Sequence, residues 1–324
     1  MAYQEKVAVA EAVGAVEPAP AARRRKKINK EAAFGLITVL IPLIGFVVFS
    51  GFPIVISFIV MFCDMDYYNL GSIAWNNFAT FQKVFTDDVF YRSLLVTLWV
   101  ASAQFVSLAI SLLMSVLLSK KVFGSKVFQI LFFVPYVCSS IAVSIMWMWM
   151  FNDSFGIIND LLVRMFGEGA RVQWFNDPSV YTWMIFIVTV WQAPGYGIVM
   201  YKAALGSVDP ALYEAAQMDG ANAWTQFYKI TLPSIAPTTF YLLMAGVIAG
   251  LLSFDIPKLF SPLDWTGEAG PDNMGLTTVL YVYIRGMTYH DMPAASVMSW
   301  VMFVITFIAS FIMFKMRNRK EREA

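Results

Sequence analysis

Six apolar runs divide this chain of 324 residues: Phe34–Phe62, Ser93–Leu118, Phe128–Phe151, Tyr181–Ala204, Thr238–Phe254 and Ala294–Phe314. Each is near the roughly 20 residues that a helix needs to cross a bilayer. The pattern therefore predicts an all-α integral membrane protein with about six transmembrane helices. Pro42 and Pro53 fall inside the first run and predict kinks, which neighbouring helices can accommodate by re-satisfying the freed backbone groups. Polar stretches separate the runs, and the most patterned of them, SVDPALYEAAQMDGANAWTQFYKITLPSIAP, extends from Ser207 to Pro237.

That stretch predicts a short helix–turn–helix lying beside the membrane. Asp209 suits a helix N-cap, and Pro210 suits the first helical position, where its missing N–H costs nothing. Gly220 suits the left-handed position that ends a helix. Asn222 can cap a second short helix, on which Trp224, Phe227, Tyr228 and Thr231 recur at spacings of three, four and seven. Pro233 and Pro237 end it. Glu214 with Ala215 and Ala216 puts one directed charge beside two residues small enough for close backbone approach, which suits docking into a groove of a partner. The other reading is an amphipathic pair resting on lipid headgroups. Only Lys202 and Lys229 are near, however, and lipid-surface helices are usually rich in basic residues.

Composition narrows the class. The chain is 59% hydrophobic, 16% aromatic and 14% charged, whereas charged residues make up about a quarter of a soluble domain. The formal net charge of +1 gives no footprint for nucleic acid. Cys63 and Cys138 both fall in or at the end of apolar stretches and read as small hydrophobes, not a disulfide. Residues 1–33 form a polar N-terminal segment in which Met1–Ala22 has the composition of a disordered tail. Arg23, Arg24, Arg25, Lys26, Lys27 and Lys30 come next, directly before the first apolar run. The last residues, 318–324, are again basic. By the positive-inside rule, these two ends and the flanks carrying Lys120, Lys121, Lys126, Lys202, Lys229, Lys315 and Arg317 face the cytoplasm.

The opposite loops are longer and more acidic, and the third of them runs from Asp255 to Pro293. Their aromatics, among them Tyr67, Tyr68, Trp75 and Trp174, suit either an interfacial belt or contact with an external protein. Within the runs, Gln104, Ser107, Ser111, Ser139, Ser140 and Ser144 read best as interhelical hydrogen-bonding groups. Gln192, Tyr196 and Asp255 are the candidates for a solute path, because sugars need donors, acceptors and aromatic faces. No phosphate-binding loop of the form G-x-x-x-x-G-K-[ST] is present, so no nucleotide chemistry is expected of this chain. No metal-ligand cluster is present either, and the lone His290 reads as an exposed loop residue. No cofactor is expected.

The order Glu214-Ala215-Ala216, three residues ending in Asp219, Gly220, nine residues, then Ile230-x-Leu232-Pro233 resembles the EAA loop of ABC importer permeases. The surrounding wording, LYEAAQMDGANAWTQFYKITLP, looks most like the maltose-type, binding-protein-dependent sugar permeases. The resemblance extends from about Phe34 to the C-terminus. It implies a permease domain over residues 34–317 with a coupling loop at 205–237, in a bacterial-type cell membrane. It also implies a cytoplasmic ATPase dimer docked on Glu214, Ala215, Ala216, Asp219, Gly220, Ile230, Leu232 and Pro233, a second permease subunit in a heterodimer, and an extracytoplasmic solute-binding protein that delivers a sugar. An external glycine-rich stretch of that family has a loose counterpart in Thr266–Pro271. Other small polar solutes remain as an alternative cargo. A self-sufficient secondary transporter is the other class, but such carriers often show inverted repeats and intramembrane charges, and this sequence has neither in clear form.

Overall fold

The computed structural model describes residues 30–119, 124–261 and 268–323. Expectations for Met1–Ala22, the Arg23–Lys27 cluster, Lys120, Lys121, Thr266 and Gly267 fall outside the described residues. The first apolar run is helix α1 (Lys30–Phe46), a wide π-type turn (Val47–Gly51) and helix α2 (Phe52–Val60). Pro42 is carried inside α1. The wide turn ends two residues before Pro53, whose ring would clash with the carbonyl four residues back in a regular helix. The chain divides near Val55 into two compact units.

The second unit takes in the end of α2 and then an antiparallel hairpin, β1 (Cys63–Asp66) and β2 (Asn69–Trp75), pairing Cys63 with Trp75 and Asp64 with Ala74. The sequence alone suggests only a loop here. Short α3 (Ala79–Phe85) leads to α4 (Asp88–Ser119), a long helix at the centre of the packing. Then come α5 (Ser125–Val137), α6 (Ser140–Met150), α7 (Ile157–Phe166), α8 (Pro178–Gln192) and α9 (Pro194–Gly206). The polar segment folds as α10 (Pro210–Met218), α11 (Ala223–Gln226), a second wide turn (Phe227–Thr231) and α12 (Leu232–Ser234). The unit closes with α13 (Ala236–Leu251), α14 (Asp255–Phe260), α15 (Thr278–Tyr283) and α16 (Met292–Glu323). No helix boundary separates the last apolar run from the basic tail, since α16 continues past residue 317.

Five of the six apolar runs are helical stretches long and apolar enough to cross a membrane. The third is not straight: α5 and α6 meet at a 100° bend through Cys138 and Ser139. The apolar sequence continues through this break, which is why composition alone suggests one span.

Small residues let α4 take the centre. A Cβ on Gly197 of α9 would lie 2.6 Å from Ser111 Oγ, and one on Gly250 of α13 would lie 2.8 Å from Ala101 Cα. Ser111 Oγ donates to Pro194 O at 3.0 Å and Ser115 Oγ to Ile198 O at 3.1 Å. These serines are thus interhelical glue, as expected for hydroxyls where lipid offers no partner. Gln104 likewise rests against Gly246 and Gly250. Because Ser111 and Ser115 meet residues 194 and 198 in rising order, α4 and α9 run parallel. Their C-termini therefore share one end of the unit with the α10–α12 segment, and Asp88 marks the other end.

The segment from Asp255 to Pro293, read from sequence as an external loop, is mostly folded structure. Thr277 and Thr278 are fully buried, and Leu276, Leu280, Tyr281 and Ile284 join a core with Phe90, Val297 and Met298. Thr278 N donates to Thr97 Oγ1 at 2.8 Å, and the Thr278 hydroxyl lies 3.2 Å from that of Ser93 and 3.1 Å from that of Thr97. The described part of the glycine-rich counterpart also turns inward. Ala269 is buried, and Gly270 at φ +74° backs onto the Tyr181 ring.

Candidate functional site

The polar segment follows its local code closely. The Asp209 carboxylate accepts from Ala211 N at 2.9 Å, with Pro210 in the first turn of α10. Gly220 adopts φ +77°, a backbone conformation nearly free for glycine and disfavoured for side chains with a Cβ. Ala221 N then donates back to Ala216 O at 2.8 Å, closing the helix end. Asn222 Oδ1 accepts from Thr225 N at 2.9 Å and so caps α11. One feature goes beyond the local code. Instead of continuing as an α-helix, the chain widens into a π-type turn over Phe227–Thr231 that ends two residues before Pro233, as the other wide turn does before Pro53.

Glu214, Ala215, Asp219, Gly220 and Pro233 are exposed, while Ala216, Ile230 and Leu232 are half-buried. The exposed side also carries Met218 at 89%, Trp224 at 70% and Tyr228 at 59% accessibility, with the Trp224 and Tyr228 rings stacked 5.9 Å apart. Large apolar groups displayed outside any span, around a small-residue surface and one carboxylate, form a face suited to a protein groove. Sequence reasoning misses Ile235, which roots the segment: it is fully buried with Tyr201 and Leu242.

Of the three solute-path candidates, the structure brings one into a cluster. Tyr196 stacks on Tyr136 at 5.6 Å, and its hydroxyl lies 3.2 Å from that of Tyr241. Three elements, α5, α9 and α13, thus present three phenols together, and Tyr136 and Tyr241 keep almost half their surface exposed. Gln192 is half-buried one turn before Tyr196. Asp255 is exposed at the start of α14, past the end of α13, which runs roughly 15 Å of helix rise beyond Tyr241, and is not part of this cluster. A cavity of about 500 Å³ behind the α5–α6 bend is lined by Phe132, Pro135, Trp147, Phe186, Trp191 and Pro194. That lining offers a sugar almost no polar partner.

The far end carries a charged network that sequence reasoning does not assemble. Tyr281 Oη donates to Asp87 Oδ2 at 2.5 Å, and Arg285 donates to the same oxygen at 2.9 Å. Lys83 Nζ pairs with Asp291 at 2.7 Å. Burial opposes the charged form of Asp87, yet the Tyr281 and Arg285 bonds outweigh it and hold the carboxyl below its ordinary value. Burial, and then donation to Asp87, push the Tyr281 phenol up. These partners are about 200 positions apart in the chain, so no local signal announces them. Among the described residues no cluster of His, Cys, Asp or Glu could hold a metal ion.

Comparison with known proteins places this architecture. Residues 107–322, more than half of the chain, match the family described as "Binding-protein-dependent transport system inner membrane component". The chain is 31% identical over 300 residues to the "Probable ABC transporter permease protein YesP" of Bacillus subtilis, covering 92% of this chain and 94% of that one. It is 30% identical over 244 residues to the "Lactose transport system permease protein LacF" of Rhizobium radiobacter, covering 74% and 80%. Its fold matches a chain in the crystal structure of a bacterial alginate ABC transporter bound to a pentasaccharide-loaded periplasmic protein, with TM-score 0.78 and 22% identity over 92% of this chain and 98% of that one. The chain belongs to the family of binding-protein-dependent transport system inner membrane components, the permease subunits of ABC transporters.

Proposed function

We propose that this chain is one of two permease subunits of a sugar importer, and that the Ser207–Pro237 hairpin is where a separate ATPase engages it. The observation that carries this reading is the hairpin itself. It is capped at both helices, turned at Gly220, and displays Glu214 and Ala215 to solvent with Ala216 half-buried beside them. Asp219, Ile230, Leu232 and Pro233 complete the coupling segment, Ile230 and Leu232 from its half-buried side. Lys126, Lys202, Lys229, Lys315 and Arg317 lie on elements that reach the hairpin end of the unit. That asymmetry supports a cytoplasmic hairpin and cytoplasmic termini by the positive-inside rule. The hairpin then faces the compartment that holds ATP. In this reading residues 1–33 and 318–324 are basic cytoplasmic ends around a permease domain at 34–317.

Closure of the ATPase dimer on ATP draws the hairpins of the two permease subunits together and shifts the spans from inward-open to outward-open. A loaded binding protein then releases its sugar into a cavity that the Tyr136–Tyr196–Tyr241 cluster helps to line, with Gln192 beside it. Phenol faces and hydroxyls supply the stacking surface and the hydrogen-bonding groups that sugars require. The names of the lactose permease and of the alginate transporter support a saccharide as cargo. The test is ATP-dependent uptake into vesicles holding the full complex, with labelled lactose, an alginate oligosaccharide and an amino acid as probes. Uptake of a saccharide that requires the binding protein and drops in Tyr196→Ala is expected. Uptake of the amino acid alone overturns the sugar assignment.

A further inference from the structure

The two helices of the hairpin are tied into a closed hydrogen-bond circuit that includes the side chains of Tyr213, Gln226 and Thr231. Thr231 is buried at 7% accessibility, while Tyr213 and Gln226 are half-buried. Tyr213 Oη of α10 lies 3.0 Å from Thr231 Oγ1, at the end of the wide turn. Thr231 Oγ1 in turn donates to Gln226 O at 3.4 Å, across the five-residue spacing that the π-type turn opens. With that proton committed, the Tyr213 hydroxyl is the donor to Thr231. Gln226 Nε2 donates to Ala221 O at 3.0 Å, and Ala221 N donates to Ala216 O at 2.8 Å, back in α10 one turn after Tyr213. The circuit leaves α10, crosses the wide turn and α11, and returns to α10.

We infer that Tyr213, Thr231 and Gln226 are positioning residues that lock the hairpin into one rigid body, so that a push on Glu214, Ala215 and Ala216 is delivered to Ile235 and the spans instead of being absorbed by flexing at Gly220. The inference rests on the coupling role proposed above and adds the residues that make it effective. Without the circuit the connection between the helices is Asp219–Asn222, with glycine at φ +77°, a joint with little stiffness of its own. The wide turn has a defined purpose here. In a regular α-helix the Thr231 hydroxyl would lie over the carbonyl four residues back, at Phe227. The extra residue in the turn carries it to Gln226 O and within reach of Tyr213.

The experiment uses the assembled complex in lipid nanodiscs and a native probe. Cys138 is exposed at the α5–α6 break, near Tyr136, and Cys63 is buried. In a Cys63→Ser background, labelling of Cys138 by a water-soluble maleimide with and without ATP reports motion at that break. ATP hydrolysis and the amount of bound ATPase are measured in the same samples. Tyr213→Phe and Thr231→Val each remove a link without removing bulk. Each should leave the ATPase bound and hydrolysis within about twofold, yet reduce the ATP-dependent change at Cys138 about fivefold, the factor that one net hydrogen bond represents. Amide exchange over residues 223–231 should quicken. Thr231→Ser keeps the hydroxyl and should restore the response, and the double variant should be no worse than either single one.

A wild-type Cys138 response in both Tyr213→Phe and Thr231→Val overturns the inference, as does failure of Thr231→Ser to restore it. Glu214→Ala separates the underlying reading. If Glu214→Ala leaves both ATPase binding and the Cys138 response intact, the coupling role itself fails. If only the circuit variants are silent, the coupling role stands and the lock falls.

Discussion

The two ends of this molecule hold themselves together by opposite means. At the far end, Asp87, Tyr281, Arg285, Asp291 and Lys83 join α3, α4, α15, α16 and the turns between them through charges that, Lys83 apart, are largely withdrawn from water. At the hairpin end, Asp209, Asn222, Tyr213, Gln226 and Thr231 bond only within one segment, and the carboxylate of Glu214 is exposed. Bonds between elements fix where helices sit relative to one another. Bonds within an element fix its own shape and leave its outer face available. The first arrangement suits a structural fastening, and the second suits a part that must be gripped by something else.

Five substitutions test that contrast, and the largest effect is expected at the exposed carboxylate. Glu214→Ala should weaken ATPase recruitment by about 2–5 kcal/mol, the range for truncating one partner of a desolvated charge pair at an interface. The melting temperature of the isolated subunit should not change. Co-purification and a thermal scan on the same preparation decide it, and normal recruitment would remove Glu214 from the interface.

Arg285→Ala should behave in reverse, lowering stability by roughly 2 kcal/mol, in the range for hydrogen bonds to charged groups, while recruitment stays normal. The pH dependence has a definite sign. Because the folded Asp87 carboxyl is held below its ordinary value of 3.8, its contribution is complete above that value and is lost as pH falls through and below it. Tyr281 is raised above its ordinary 10.0, so its contribution is lost only as pH climbs beyond that value. Asp87→Asn should flatten the acid limb of a stability-against-pH curve. An unchanged acid limb would show that the network does not hold this end.

Gly220→Val is smaller, about 1–2 kcal/mol of strain for a β-branched residue at positive φ. It should appear as faster amide exchange across the hairpin and a partial loss of transport, with insertion unaffected. Asp209→Ala is the mildest, about 1 kcal/mol for a lost N-cap, visible as fraying of the first turn of α10 in hydrogen exchange. If either change lowered the melting temperature of the whole subunit as far as Arg285→Ala does, the hairpin would not be a self-contained part.

Legibility in the sequence tracks the range of each interaction. Asp209, Gly220 and Asn222 act on amides one to three residues away, and all three do in the structure what their types suggest. The apolar runs are visible because membrane crossing sets a length. The α5–α6 break is hidden because Cys138 and Ser139 interrupt neither hydrophobicity nor length. The stretch from Asp255 to Pro293 is hidden for another reason. Its polar residues look exposed, but Thr277 and Thr278 are buried because Ser253, Ser93 and Thr97 supply partners, two of them about 180 positions away. The tyrosine cluster is half visible. Tyr196 stands out as a polar aromatic inside a span, whereas Tyr136 and Tyr241 acquire meaning only when α5 and α13 fold beside α9.

The 100° bend between α5 and α6 bears on how the chain is made. Its two arms have 13 and 11 residues, roughly 20 and 17 Å of helix against a hydrocarbon core of about 30 Å. Neither arm is long enough to be recognised as a membrane segment during synthesis. Only the unbroken run from Phe128 to Phe151 meets that requirement. Insertion as one straight segment that bends afterwards would satisfy that length requirement. In that order of events, a chain truncated before residue 178 should retain the Phe128–Phe151 run as a plain, unbent helix.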